Sequence, residues 1–187
     1  NNYYVPQLDN IQVLESLIDS YNIEDIELEP ILFQSGYLSI KAAQFTDFGA
    51  EYVLGFPNHE VSISFNDMVA RALTNKSNIL QEKKQLQKTL KEGNIKHFHD
   101  TLCGVFASIP FNYYIKNKIS TFEGYYASVV YVYLASLGLN LIAEDVTSKG
   151  RIDLTIKTDD TTYILEFKVD GRGNALKQIQ DKGYHQK

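Results

Sequence analysis

The sequence predicts an α/β chain. An α/β/α core with a mixed sheet occupies the C-terminal part, and a mainly helical region with a β-hairpin precedes it. Three observations carry this expectation. Residues 125–137 are apolar nearly all round, the pattern of a helix buried against a sheet. Residues 151–157 and 162–169 alternate with the period of two that marks strands, separated by turn residues at 158–161. Asn174 then stands as the cap of a helix running to about Lys182. The chain has 187 residues, 44% hydrophobic and 22% charged, enough to bury a real core.

In chain order, Asp9–Tyr21 reads as an amphipathic helix with Ile11, Leu14, Leu17, Ile18 and Tyr21 on one face. Glu24–Glu29 is an acidic connector, and Ile31–Phe33 is a short helix or strand. Residues 37–42 and 52–56 pair as a hairpin around Thr46-Asp47-Phe48-Gly49. Asn58 caps a helix to about Leu73, with Val61, Phe65, Met68, Val69 and Ala72 as its core stripe. Helix, hairpin, helix resembles a winged-helix arrangement, but Lys41 is the hairpin's only cation, so a linker or lid is the preferred reading. Residues 76–91 are strongly helix-forming, and Lys83, Lys84, Lys88 and Lys91 are the best phosphate-contact candidates upstream of the core. Residues 95–108 form a second helix. Cys103 there is expected to be a buried small hydrophobe. His97 and His99 are two apart and face away from each other, which argues against a shared metal. Pro110 ends this helix, and the aromatic stretch 111–114 packs against the core. Ser120 and Glu123 fit a capping box for the apolar helix, which Gly138 closes. Residues 139–146 form the first core strand, with Glu144 and Asp145 in a solvated turn at its end.

The chemistry gathers on the next two strands. Ile152, Leu154 and Ile156 share one face of the first, and Asp153 points to the other. On the second, Glu166 and Lys168 emerge side by side on one face. Two carboxylates can hold a hard divalent cation that keeps most of its waters. Such a cation lowers the pKa of a bound water and neutralises charge on a phosphoryl oxygen. A lysine beside it can orient that water or stabilise developing charge. Taken alone, the Glu-x-Lys triplet is a weak signal, and a surface salt bridge on a sheet edge is the preferred reading of it.

Gly150-Arg151-Ile152-Asp153 followed by Ile164-Leu165-Glu166-Phe167-Lys168 resembles the core of the PD-(D/E)XK nuclease superfamily. The segments 122–126, 175–179 and 182–184 resemble the helices that flank this core, and 32–38 and 54–58 are similar to a bacterial branch of it. In that branch the nuclease-like domain follows an AAA-ATPase-like domain. The resemblance implies a restriction-endonuclease-like core over residues 120–187, with residues 1–119 linking to an N-terminal ATPase-like domain. It further implies a nuclease cutting nucleic acid, DNA rather than RNA, with Mg²⁺ or Mn²⁺ on Asp153, Glu166 and the Phe167 carbonyl. Lys168 is then the catalytic lysine, and Glu123 and Gln178 assist. In some superfamily members a tyrosine follows the glutamine by four residues; here Tyr184 follows Gln178 by six, a departure from that pattern.

Other features bound these expectations. The net charge of −5 gives no support to tight nucleic-acid binding by the surface as a whole, so a basic footprint must be local or come from another domain. A catalytically silent nuclease-fold module that regulates an ATPase-like partner is therefore the alternative. A single cysteine excludes an internal disulfide and a cysteine-based zinc cluster. With no apolar run of transmembrane length and no signal-peptide pattern, a cytoplasmic location without membrane contact is expected. The start at Asn1-Asn2-Tyr3, with Met68 as the only methionine, leads us to expect a fragment, shortened at the C-terminus as well.

Overall fold

A computed structural model of the chain describes residues 8–18, 27–74, 79–109, 123–168 and 173–186. The chain divides into two compact units, residues 1–65 and 66–187. Among the described residues no helix is long and apolar enough to cross a membrane.

In the first unit, strands β1 (Ile11–Leu14), β2 (Ser39–Thr46) and β3 (Gly49–Gly55) form an antiparallel sheet in the order β1-β3-β2. The expected hairpin is present: Thr46 pairs with Gly49 across the turn. The helix expected over residues 9–21 is not. Its first part is β1, and only one helical turn, α1 (Glu15–Ile18), follows. Pairing with β3 gives Ile11–Leu14 ladder partners that an isolated helix does not offer, and it buries Val13. Asp9 caps no helix; its Oδ1 accepts the Phe56 amide at 2.9 Å. Helix α2 (Leu28–Gln34) covers the segment left open between helix and strand. Leu38, Leu54, Phe56 and Phe65 are buried, and Phe65 stands 5.4 Å from the rings of both Tyr37 and Phe56. Phe45 and Phe48, at the hairpin tip, are almost fully exposed.

Helix α3 (His59–Thr74) begins as expected, with Asn58 Oδ1 accepting the Val61 amide at 2.9 Å. Its inward stripe differs from the expected one. Met68 and Ala72 are exposed, while Asn66 and Ala70 are buried. Helices α4 (Leu80–Lys91) and α5 (Ile95–Ala107) follow.

Two of the four lysines of the basic run on α4 are engaged with carboxylates. Lys83 Nζ donates to the Asp67 carboxylate and, at 3.1 Å, to the Ser136 carbonyl. Burial alone would raise the Asp67 carboxyl, but the hydrogen bond and charge of Lys83, helped by Arg71, outweigh it and hold the group below its ordinary value. Lys88 lies 3.8 Å from Glu92, leaving Lys84 and Lys91 exposed. On α5, Cys103 is exposed rather than buried. It lies one turn from His99, whose Nε2 is 3.7 Å from its Sγ, while Phe98 and Val105 take the buried face.

Helix α6 (Glu123–Ala135) is buried along most of its length, with Val130, Val132, Tyr133 and Leu134 at most 2% exposed. It packs on β4 (Asn140–Thr147) and β5 (Gly150–Lys157). With β6 (Thr162–Leu165) these form a sheet in the order β4-β5-β6. All pairs are antiparallel, so the expected mixed sheet is not seen among the described residues. Turns of a few residues join the strands, and a tight turn can only join antiparallel neighbours. Helix α7 (Ala175–Asp181) and a single 3₁₀ turn (Tyr184–Gln186) close the described chain. The Ser120 cap, the Pro110 stop, the aromatic stretch 111–114 and the division at 119/120 lie outside the described residues.

Candidate functional site

Register decides what meets at the centre of the second sheet. Leu154 pairs with Leu165 and Thr155 with Ile164, so one step further along the same register sets Glu166 opposite Asp153. Directly opposed residues on antiparallel strands point to the same face. Ile152, Leu154 and Ile156 fill the other face, each at most 1% exposed. The ladder ends at Leu165, and beyond it the Phe167 amide donates to Asp153 Oδ2 at 2.8 Å, tying the end of the strand to that carboxylate.

The Glu166 side chain is completely buried. Its Oε2 accepts the Gln178 side-chain amide at 2.8 Å and lies 3.8 Å from Lys168 Nζ. Its Oε1 is buried and has no hydrogen-bond partner among the described residues. Burial first, and the nearby Asp153 charge second, push the Glu166 carboxyl up to about 7, against a partly opposing pull from Lys168. Lys168 Nζ also donates to the Phe167 carbonyl at 3.0 Å. Thus Asp153, Glu166, Phe167, Lys168 and Gln178 stand together. Glu123 is the first residue of α6, and its side chain lies outside the described residues.

Gln178 reaches Glu166 because α7 is fixed at both ends. Asn174 Oδ1 accepts the Lys177 amide at 2.9 Å, capping the helix. Beyond the helix, Tyr184 is 3% exposed and its hydroxyl donates to the Arg151 carbonyl at 3.1 Å. Tyr184 is therefore a latch between the end of the chain and β5, two residues from Asp153. A side chain at Gly150 would meet this hydroxyl, since a Cβ there would lie 2.5 Å from Tyr184 Oη.

One carboxylate was misplaced by the sequence reading. Asp145 is 6% exposed, not in a solvated turn, and its Oδ2 accepts the Thr155 hydroxyl at 2.8 Å. Glu144 has a φ of 51°, an irregularity in the backbone of β4 directly before Asp145. The exposed Glu144 instead meets Arg151 at 3.4 Å. Two adjacent acids in a strand were the one sequence signal of such an irregularity. Even so, among the described residues no three His, Cys, Asp or Glu side chains gather closely enough to hold a metal between them.

The residues present fit a divalent cation of the Mg²⁺ type, which takes one or two carboxylates and fills its other positions with water. Glu166 Oε1, buried and with no hydrogen-bond partner among the described residues, is an acceptor open to such an ion. Comparison with known proteins agrees with this chemistry. Residues 121–187 match the family described as PD-(D/E)XK nuclease superfamily, which supports a domain of that superfamily there. A protein of Azotobacter chroococcum mcd 1, described as an uncharacterized protein in the vnfD 5′ region, is 37% identical over 188 residues, covering 98% of this chain. The chain spans 36% of that relative's length. No solved structure matches.

Proposed function

We propose that residues 120–187 are the core of a metal-dependent nuclease that hydrolyses phosphodiester bonds of nucleic acid, DNA in preference to RNA. The observation that carries this is the Glu166–Asp153 pair: a completely buried carboxylate with one unpartnered oxygen, set opposite a second carboxylate. Two such charges repel without a cation between them, a cost that a purely structural sheet has no reason to bear. Asp153 and Glu166 would hold Mg²⁺ or Mn²⁺, with the Phe167 carbonyl as a third oxygen. The bound ion would polarise the scissile phosphate and lower the pKa of the attacking water.

The chain's own groups do the rest. Lys168 orients the attacking water and, as an ammonium, stabilises charge developing on the phosphoryl oxygens. Gln178 holds one Glu166 oxygen by its 2.8 Å hydrogen bond and so leaves the other to the cation. Glu123 assists from the start of α6. Asp153→Ala and Lys168→Ala are the test, with labelled DNA and RNA, single- and double-stranded, in Mg²⁺ and in Mn²⁺. Both variants lose cleavage while keeping the fold. Cleavage at the wild-type rate in either removes this mechanism.

A second reading has an observation of its own. The net charge is −5, and two of the four α4 lysines are engaged with Asp67 and Glu92. This favours a nuclease-fold module that regulates an N-terminal AAA-ATPase-like domain in the cytoplasm without cutting nucleic acid. Mn²⁺ binding that Asp153→Ala abolishes, with no cleavage of any strand, would select this second reading.

A further inference from the structure

A cleft of about 370 Å³ opens between the β4–β5 turn and the end of α7. Lys149 and Ser148 come from the turn, and Lys182, Gly183 and Gln186 from the helix end. No acidic residue among the described residues lines it. Lys149 and Lys182 are both exposed, and neither has an ion-pair partner among the described residues. The α4 cations differ, since Lys83 and Lys88 are paired with carboxylates.

Backbone geometry brings the two cations together. Gly183 has a φ of 62°, and a Cβ there would lie 3.3 Å from Lys149 Nζ, so the ammonium rests over bare backbone. Tyr184 holds the two walls in place through its bond to the Arg151 carbonyl. Two like charges in one cleft with no acid between them suit an anion that accepts from both.

The position is as informative as the charge. Lys182 is one helical turn from Gln178, about 6 Å along the axis, and shares its face. Gln178 is bonded to Glu166. Arg151 on β5, and Lys149 in the turn before that strand, lie progressively further along the chain from Asp153. Lys149 is four residues from Asp153, roughly 13 Å of extended chain, so the cleft stands within a few nucleotides of the carboxylates at about 3.4 Å of rise per phosphate.

We propose that this cleft, walled by Lys149 and Lys182 and floored by Gly183, binds a backbone phosphate of the nucleic-acid strand a few nucleotides from the one being cut. The proposal rests on the nuclease reading for the identity of the strand, though not for the binding of phosphate. It supplies the local basic footprint that the net charge withholds.

The test uses the full chain, ¹⁵N-labelled, titrated first with inorganic phosphate and then with a DNA duplex in EDTA. Lys149→Gln/Lys182→Gln is the comparison, and Mn²⁺ titration is the control. Phosphate should shift the amides of Ser148, Lys149 and Gly183 saturably, and the double variant should lose these shifts. Duplex affinity should fall about tenfold in the variant, and its log–log salt slope should shrink by about 1–2, the loss of one or two phosphate contacts. Mn²⁺ binding should match the wild type. Phosphate shifts lost in the variant, in a protein that binds neither duplex nor Mn²⁺, would uphold the phosphate cleft and sink the nuclease reading. Absence of phosphate-induced shifts, or a duplex salt slope unchanged in the variant, overturns the proposal.

Discussion

Replacing Glu166 by glutamine isolates the strain that the carboxylate pair puts into the fold. The folded protein holds this carboxyl at about 7 against an ordinary 4.5, chiefly by burial and then by the Asp153 charge. Between those two values the folded state keeps a proton that the unfolded state has lost. Stability therefore falls as pH rises through this window, opposite to the usual paired carboxylate. The difference converts to about 3 kcal/mol at about 1.36 kcal/mol per pH unit. Partial solvent access at the neighbouring Lys168, 21% exposed, and local relaxation bring this to about 1–3 kcal/mol. Glu166→Gln keeps the size and an acceptor for Gln178 but carries no charge. Urea denaturation in EDTA should give equal stabilities near about pH 4, and a variant more stable by about 1–3 kcal/mol near about pH 8. The other titrating groups are common to both proteins, so the difference reports Glu166 together with its interaction with Asp153. A difference that stays constant across this range would refute the reasoning, because Glu166 would then titrate alike in the folded and unfolded chains.

Other outcomes follow from the same geometry. Mn²⁺ at about a hundred times its Kd should stabilise the wild type by about 2.7 kcal/mol at neutral pH and less in acid, where protons compete for Glu166; thermal shift with and without EDTA reads this. Tyr184→Phe should cost about 0.5–1.5 kcal/mol through loss of the Arg151 bond. Gly150→Ala should cost more in the wild type than in Tyr184→Phe, because the hydroxyl it strikes, 2.5 Å from the new Cβ, is then absent; a double-mutant cycle by denaturation measures the coupling. Lys83→Met should destabilise by about 1–3 kcal/mol, since Asp67 loses its most buried partner and the Ser136 carbonyl a donor. It should leave duplex binding unchanged, and weakened binding would return Lys83 to the phosphate surface.

By itself the sequence determined whatever depends on local periodicity. The alternation of residues 150–157 and 162–165, the apolar helix at 123–135 and the hairpin turn at 46–49 are legible because a strand repeats every two residues and a helix every 3.6. Placing Asp153, Glu166 and Lys168 near one another needed only that period and a short turn. Tertiary structure decided the rest. Residues 11–14 became a strand because β3 offered them a ladder, which no single-segment pattern reports. Asp145 is buried and hydrogen-bonded to the Thr155 hydroxyl, beside the irregular backbone of Glu144, which no period along one strand reports. The α4 lysines divided into paired and free according to which faced Asp67 or Glu92. Lys149 and Lys182, 33 residues apart, became one cleft because Tyr184 closes the chain end against β5. Contacts between distant segments depend on how faces meet in space, and a period measured along one segment carries no information about the face it will meet.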